Sequence, residues 1–95
     1  MSIISIRMDI LNENAPELLE LKTAPKVVGM KQLRRALKED RVSRVFLARD
    51  ADPSLTESIA GSCQAIPCFW VVSMKALGRA CGIDVGAAAA AILQS

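Results

Sequence analysis

The sequence predicts an α/β layered domain, on three observations. Val42 to Ala48 is an apolar, β-branched run with no internal Gly or Pro, as a buried central strand requires. Helix-start signals, Asp52-Pro53 and Ser73, fall between this run and the later apolar segments, so strands alternate with helices as in layered α/β folds. Ninety-five residues, 52% of them apolar, suffice for one hydrophobic core and argue against disorder. No internal repeat or linker divides the chain.

Ile4, Ile6, Met8 and Ile10 alternate with Ser5, Arg7 and Asp9, the period-two pattern of a half-buried strand. Asn12 to Pro16 reads as a turn into a helix, with Asn14 or Ala15 preceding Pro16 in the first turn. Glu17 and Glu20 suit the positive end of its dipole, and the helix must finish before Pro25. Lys26-Val27-Val28 is a short strand, and Gly29 permits a sharp turn into a helix from about Met30 to Glu39. After the Val42–Ala48 strand, Asp52 and Pro53 form an N-cap and first helical position, while Ser54-Leu55-Thr56-Glu57 offers a competing capping box. Either start gives a helix to about Gln64. Cys68 to Val72 is the next strand, Ser73 caps a helix to about Ala80 or Cys81, and Gly82 ends it. The alanine run Ala87 to Ala91 favours helix by intrinsic propensity.

The formal net charge of +2 conceals an uneven distribution. Met1 to Pro25 carries Arg7 and Lys22 against Asp9, Glu13, Glu17 and Glu20, a sum of −2. Lys26 to Arg49 carries Lys26, Lys31, Arg34, Arg35, Lys38, Arg41, Arg44 and Arg49 against Glu39 and Asp40, a sum of +6. Asp50 to Ser95 carries Lys75 and Arg79 against Asp50, Asp52, Glu57 and Asp84, again −2. Clustered positive charge is an electrostatic footprint for a polyanion. On a helix from Met30, the apolar Met30, Leu33, Ala36 and Leu37 share one arc. Lys31, Arg34, Arg35 and Lys38 share an adjacent arc roughly 100° wide, so one face enters a core while its neighbour presents four cations. The plain alternative is an ordinary solvated helix face.

Composition excludes much catalytic chemistry. The chain has no histidine, which removes Ser-His triads, His-ligated zinc and imidazole acid–base catalysis. Cys63, Cys68 and Cys81 match no metal-ligand spacing and have no histidine to promote a thiolate, so they read as small buried thiols of a reducing compartment. There is no Gly-rich phosphate loop and no tyrosine, and Phe46, Phe69 and Trp70 fall in expected core strands rather than on a base-stacking platform. No apolar run approaches the roughly 18 residues of a membrane span. The start of the chain lacks the basic n-region of a secretory signal. A cytoplasmic, non-enzymatic protein without metal or cofactor is expected, with no membrane partner. Asp50 and Asp52 have the chemistry to hold a divalent ion, although two carboxylates at a helix start are usually structural.

Gly29-Met30-Lys31-Gln32 sits where a strand hands over to a helix. Unpaired backbone N–H groups and the helix dipole there face any nearby anion, with Lys31 and Gln32 adding donors. Alone, the segment is equally an ordinary β-to-α turn. Three segments taken together are more specific: Val28-Gly29-Met30-Lys31-Gln32, Asp50-Ala51-Asp52-Pro53, and Ser73 to Ala88 with its core Lys75-Ala76-Leu77-Gly78-Arg79-Ala80-Cys81-Gly82-Ile83-Asp84-Val85. In this order and spacing, from about Ala15 to Leu93, the chain resembles the L7Ae/L30e ribosomal-protein family, and most of all its small bacterial members that bind kink-turn RNA.

The resemblance implies a three-layer α-β-α sandwich of L30e-like type with a central mixed sheet of about four strands. Residues 1–14 would form an N-terminal extension with a short strand, and 15–95 the RNA-binding domain. It also implies a strand from Ala89 to Leu93, against the helical propensity of the alanines. By the same likeness Gly29, Lys31, Gln32 and Arg35 match positions that contact the two sheared G·A pairs and adjoining backbone of a kink-turn. Asp52 matches an acidic position near the bulged nucleotides, although helix capping equally explains it. Ile83, Asp84 and Val85 match the recognition loop, whose apolar tips would cover an unstacked nucleotide; a turn with buried Ile and Val is the plain alternative. Arg34 and Lys38 join Arg35 as expected phosphate contacts. Lys31 stands where archaeal and eukaryotic members usually carry Asn, Gln32 where they carry Glu, Met74 where Lys is frequent and Gly86 where Pro is frequent. The implied function is non-catalytic binding of kink-turn RNA, ribosomal RNA or an mRNA leader, in a ribonucleoprotein that includes ribosomal proteins. Two alternatives are an RNA-recruiting partner of an RNA-modifying enzyme and a protein scaffold in ribosome assembly.

Overall fold

The structure is a computed structural model that describes residues 10–63 and 65–94. Most of the alternating Ile4–Ile10 pattern lies outside these residues; its last member begins a two-residue strand, β1 (Ile10–Leu11). The chain continues through a 3₁₀ helix (Pro16–Lys22), β2 (Lys26–Val28), α1 (Met30–Lys38), β3 (Val42–Ala48), α2 (Pro53–Gly61), β4 (Cys68–Val71), α3 (Met74–Ala80) and β5 (Ala89–Leu93). The sheet has five strands in the order β1-β4-β3-β5-β2, one more than expected. The extra strand is β1, which pairs parallel to β4 (Ile10 with Trp70, Leu11 with Val71). The sheet is mixed: β3 and β4 are parallel, while β5 runs antiparallel to both β3 and β2.

Helices cover both faces, and strand periodicity explains how. In β3, Val45 and Leu47 face one core with Leu33, Ala36 and Ile59 of α1 and α2. Phe46 and Ala48 face the other core with Leu18 and Leu21 of the 3₁₀ helix and Leu77 of α3. Phe46 stacks on Phe69 of β4 with ring centroids 5.3 Å apart, a cross-strand pair that seats the aromatics inside the protein. In β5, Ala89 and Ala91 belong to the first of these cores, Ala90 and Ile92 to the second. The alanine run is a strand because it lies between β3 and β2, with both edges hydrogen-bonded and both faces under helices. Methyl side chains there let the helix layers approach closely, and that tertiary gain overrides a helical preference of under about 1 kcal/mol per residue.

Local signals account for most element ends. Asp52, not Ser54, caps α2: its carboxylate accepts from the Ser54 N–H and hydroxyl at 2.9 and 2.8 Å. The helix stops at Gly61, short of Gln64, with Ser62 as C-cap. Ser73 caps α3 by accepting from the Ala76 N–H at 3.0 Å, and Gly82 follows with φ of 80°. The Pro16 helix is 3₁₀ rather than α, with uncapped Ala15 before it. Asp40 takes up φ of 60° after α1, a left-handed step that Asp tolerates better than most residues. Among the described residues, no helix is long and apolar enough to cross a membrane.

Candidate nucleic-acid interface

β1, β2, β3 and β4 all point the same way, because β2 and β3 are both antiparallel to β5 while β1 and β4 are parallel to β3. The helices that follow β2, β3 and β4 therefore all begin at one end of the sheet, where β5 also begins. This is the carboxyl-terminal edge at which open α/β sheets bind ligands. Gly29, at the start of α1, donates its N–H to the Ala89 carbonyl at 2.8 Å, and Ala48, at the end of β3, donates to Ala88 at 2.9 Å. These bonds bring the Gly29–Gln32 segment, the Asp50–Pro53 segment and the loop before β5 to the same edge.

The three helix starts differ in what remains available to a ligand. α2 is capped by Asp52 and α3 by Ser73, with the Met74 N–H held by Asp50 Oδ1 at 2.8 Å. α1 begins at Gly29, whose φ of 107° turns the chain sharply and which has no side chain with which to cap. The first N–H groups of α1, which have no intrahelical acceptor, thus lie among the exposed side chains of Lys31 and Gln32. Arg35 follows one turn on, exposed and 3.8 Å from Glu39.

The expected recognition loop divides. Val85 is 69% exposed and Asp84 is exposed, but Ile83 is half-buried and packs against the core that holds Leu77 and Phe46. The loop rests on α3 through several contacts. Ile83 N–H donates to the Gly78 carbonyl at 3.1 Å, and Ala87 N–H to the Met74 carbonyl at 2.9 Å. A Cβ placed on Gly78 would stand 2.1 Å from the Val85 carbonyl oxygen, and one on Gly86 would stand 3.1 Å from Met74 Cβ. Asp50, Gly78 and Gly86 therefore shape this edge, although none of them was among the expected RNA contacts. A glycine inside α3 costs roughly 1 kcal/mol relative to alanine, and that was the available signal of a close backbone approach. The hydrogen bond of Asp50 to Met74 and the capping bonds of Asp52 give both carboxylates structural work.

Arg34 and Lys38 are not beside Gln32. Two residues along a helix turn the chain so that Arg34 and Gln32 lie roughly 160° apart around α1. Arg34 and Lys38 line the flank facing α2, together with Ser58 and Ser62. Of the ten expected site residues, Gly29, Lys31, Gln32, Asp52, Asp84 and Val85 meet at the sheet edge, with Ile83 beneath them and Arg35 just behind. Arg34 and Lys38 occupy a separate surface.

The thiols are set apart from this edge by their packing. Cys63 donates to the Ile59 carbonyl at 3.1 Å and lies beside Cys68. Burial pushes the Cys68 thiol up to about 12, aided by the neighbouring Cys63, and also raises Cys63 and Cys81. Protonated, inward-facing thiols suit packing rather than nucleophilic attack.

Known proteins resemble this chain in sequence and in fold. An RNA-binding protein of Bacillus pumilus (strain SAFR-032) is 49% identical over 69 residues, covering 70% of this chain and 84% of the relative. An RNA-binding protein of Geobacillus sp. (strain WCH70) is 46% identical over 76 residues, 78% of this chain and 93% of its own. The solved structure of a Giardia lamblia 15.5kD RNA binding protein superposes with a TM-score of 0.68 at 26% identity, over 97% of this chain and 85% of that one. A Bacillus halodurans protein of unknown function shares the fold at a TM-score of 0.75 and 24% identity, over 86% and 88% of the two chains. Residues 14–95 match the sequence model of one family across nearly the whole described fold, and this chain belongs to it: the non-enzymatic Ribosomal protein L7Ae/L30e/S12e/Gadd45 family.

Proposed function

We propose that this chain binds structured RNA without catalysis, that its target is a kink-turn, and that it works in a cytoplasmic ribonucleoprotein. One observation carries the reading. Of the three helix starts gathered at one sheet edge, only that of α1 lacks a side-chain cap, and Lys31, Gln32 and Arg35 surround it. Open N–H groups and cations suit phosphate, while the Gln32 amide can both donate to and accept from base edges. The names of the bacterial relatives support RNA as the polymer.

In this reading α1 docks its first turn on the kink, with Gly29, Lys31 and Gln32 against the sheared G·A pairs and Arg35 on the adjoining backbone. Val85 covers an extruded nucleotide, Ile83 anchors the loop from below, and Asp84 and Asp52 lie beside the bulge. Contacts made only to the bent RNA draw the population toward that form. A gel-shift titration against a kink-turn duplex and a duplex with the G·A pairs replaced tests this. Clear preference for the first is expected, and equal affinity would overturn the kink-turn assignment.

A further inference from the structure

A channel of ≈ 540 Å³ lies between α1 and α2, away from the kink-reading edge. Arg34 and Lys38 form one wall and Ser58 and Ser62 the other, over a floor of Leu37 and Ile59. Arg34 and Lys38 stand one helical turn apart, about 6 Å along the axis, and among the described residues neither joins an ion pair. Arg35, on the solvent side of the same helix, is close to Glu39, and Arg41 pairs with Glu39 at 2.9 Å. Among the described residues, the one acidic group on the channel is Asp40, just past the end of α1.

We propose that this channel is a second RNA surface, which holds the sugar–phosphate backbone of a stem flanking the kink. The inference rests on the RNA-binding reading and extends it. Three features select this occupant. The walls offer two cations and two serine hydroxyls, donors for phosphate oxygens, above an apolar floor. Lys31, Arg34 and Lys38 succeed one another three and four residues apart on α1, so a stem leaving the kink meets cations along the helix before it reaches the channel. The roughly 160° between Gln32 and Arg34 means that one flat RNA face cannot meet both, whereas a bent RNA with two diverging stems can.

The test uses kink-turn RNAs whose flanking stems are either trimmed to a minimum or extended by a full helical turn on each side. Wild-type protein and the double variant Arg34→Gln/Lys38→Gln are titrated over a series of salt concentrations. With the extended RNA, the double variant should flatten the slope of log affinity against log salt by about 1.4–1.8, the value for two lost phosphate contacts. With the trimmed RNA the slope should stay at the wild-type value. Ser58→Glu, which places a negative charge on the opposite wall and leaves α1 intact, should weaken only the extended RNA. Equal loss on both RNAs, or no change on either, overturns the second surface. An acidic protein that competes for the channel without affecting the extended-stem slope also overturns it. Failure of the parent reading is seen separately, as wild-type protein that does not distinguish a kink-turn from a duplex lacking G·A pairs.

Discussion

Val85 and Ile83 sit two residues apart in one loop, yet Val85 is exposed and Ile83 half-buried, and Ser substitution should separate their roles. Val85 is 69% exposed, so Val85→Ser removes little from the folded core and should change stability by no more than about 0.5 kcal/mol. In a domain of this size that is a shift of roughly 2–4 °C at most. Ile83 is half-buried against the core containing Leu77 and Phe46. Full truncation of a buried Ile costs about 2–5 kcal/mol, so Ile83→Ser should cost about 1–2 kcal/mol, equivalent to a drop of roughly 5–15 °C. Binding should follow the reverse order. If a nucleotide covers the exposed two-thirds of Val85, the lost apolar burial is worth about 1–2 kcal/mol, or roughly 5- to 30-fold in affinity for a kink-turn. Ile83→Ser should bind near normally at temperatures where it remains folded. Melting curves and gel shifts on the two variants decide the matter. A Val85→Ser protein that melts like Ile83→Ser, or that binds like wild type, would refute the division of labour in this loop.

Other variants test the supporting geometry. Gly78→Ala forces a Cβ to within 2.1 Å of the Val85 carbonyl, so urea melts should show a loss of about 1–3 kcal/mol; Gly86→Ala, with its nearest contact at 3.1 Å, should lose less, and the opposite order would contradict the packing. Gln32→Ala should weaken binding to intact G·A pairs by roughly 1–3 kcal/mol, as for a good bidentate base contact; equal weakening on plain duplex would argue against base reading. Arg35→Gln should flatten the salt dependence by about 0.7–0.9 on trimmed and extended RNAs alike, and an unchanged slope would remove Arg35 from the interface. For Cys68 the folded thiol holds its proton more tightly than the unfolded one, so the contribution to stability is complete below about pH 9 and declines as pH rises toward about 12. Urea midpoints of wild type should fall across that window more than those of Cys68→Ala, and parallel curves would show that Cys68 does not supply the effect.

How much of this was legible depends on the range of the forces involved. Caps and breakers act within a few residues, so Ser73, Gly82, Pro25 and the strand Val42–Ala48 read directly as boundaries and core. Asp52 and Ser54 both satisfied the local rule for a helix start. The choice fell to Asp52, whose carboxylate reaches the Ser54 N–H and hydroxyl together. The alanines of β5 defeated local reasoning, because their intrinsic preference is helical and only the gap between β3 and β2 makes them a strand; family resemblance supplied that element. The 3₁₀ character of Pro16–Lys22 had no sequence signal beyond its short length between two prolines.

The candidate interface shows the same division. The alternating α/β order, the concentration of positive charge between Lys26 and Arg49, and the uncapped start of α1 at Gly29 are written in the chain itself, because propensity, charge and a missing side chain are properties of residues and near neighbours. Packing between distant elements, by contrast, sets Ile83 half-buried and Val85 exposed, turns Arg34 and Lys38 toward α2, lets Asp50 hold the start of α3, and brings the 83–85 loop against Gly78. Each of those depends on which element packs against which, and a close approach between residues 78 and 85 or 50 and 74 is set by the folded sheet edge rather than by any local preference of the chain.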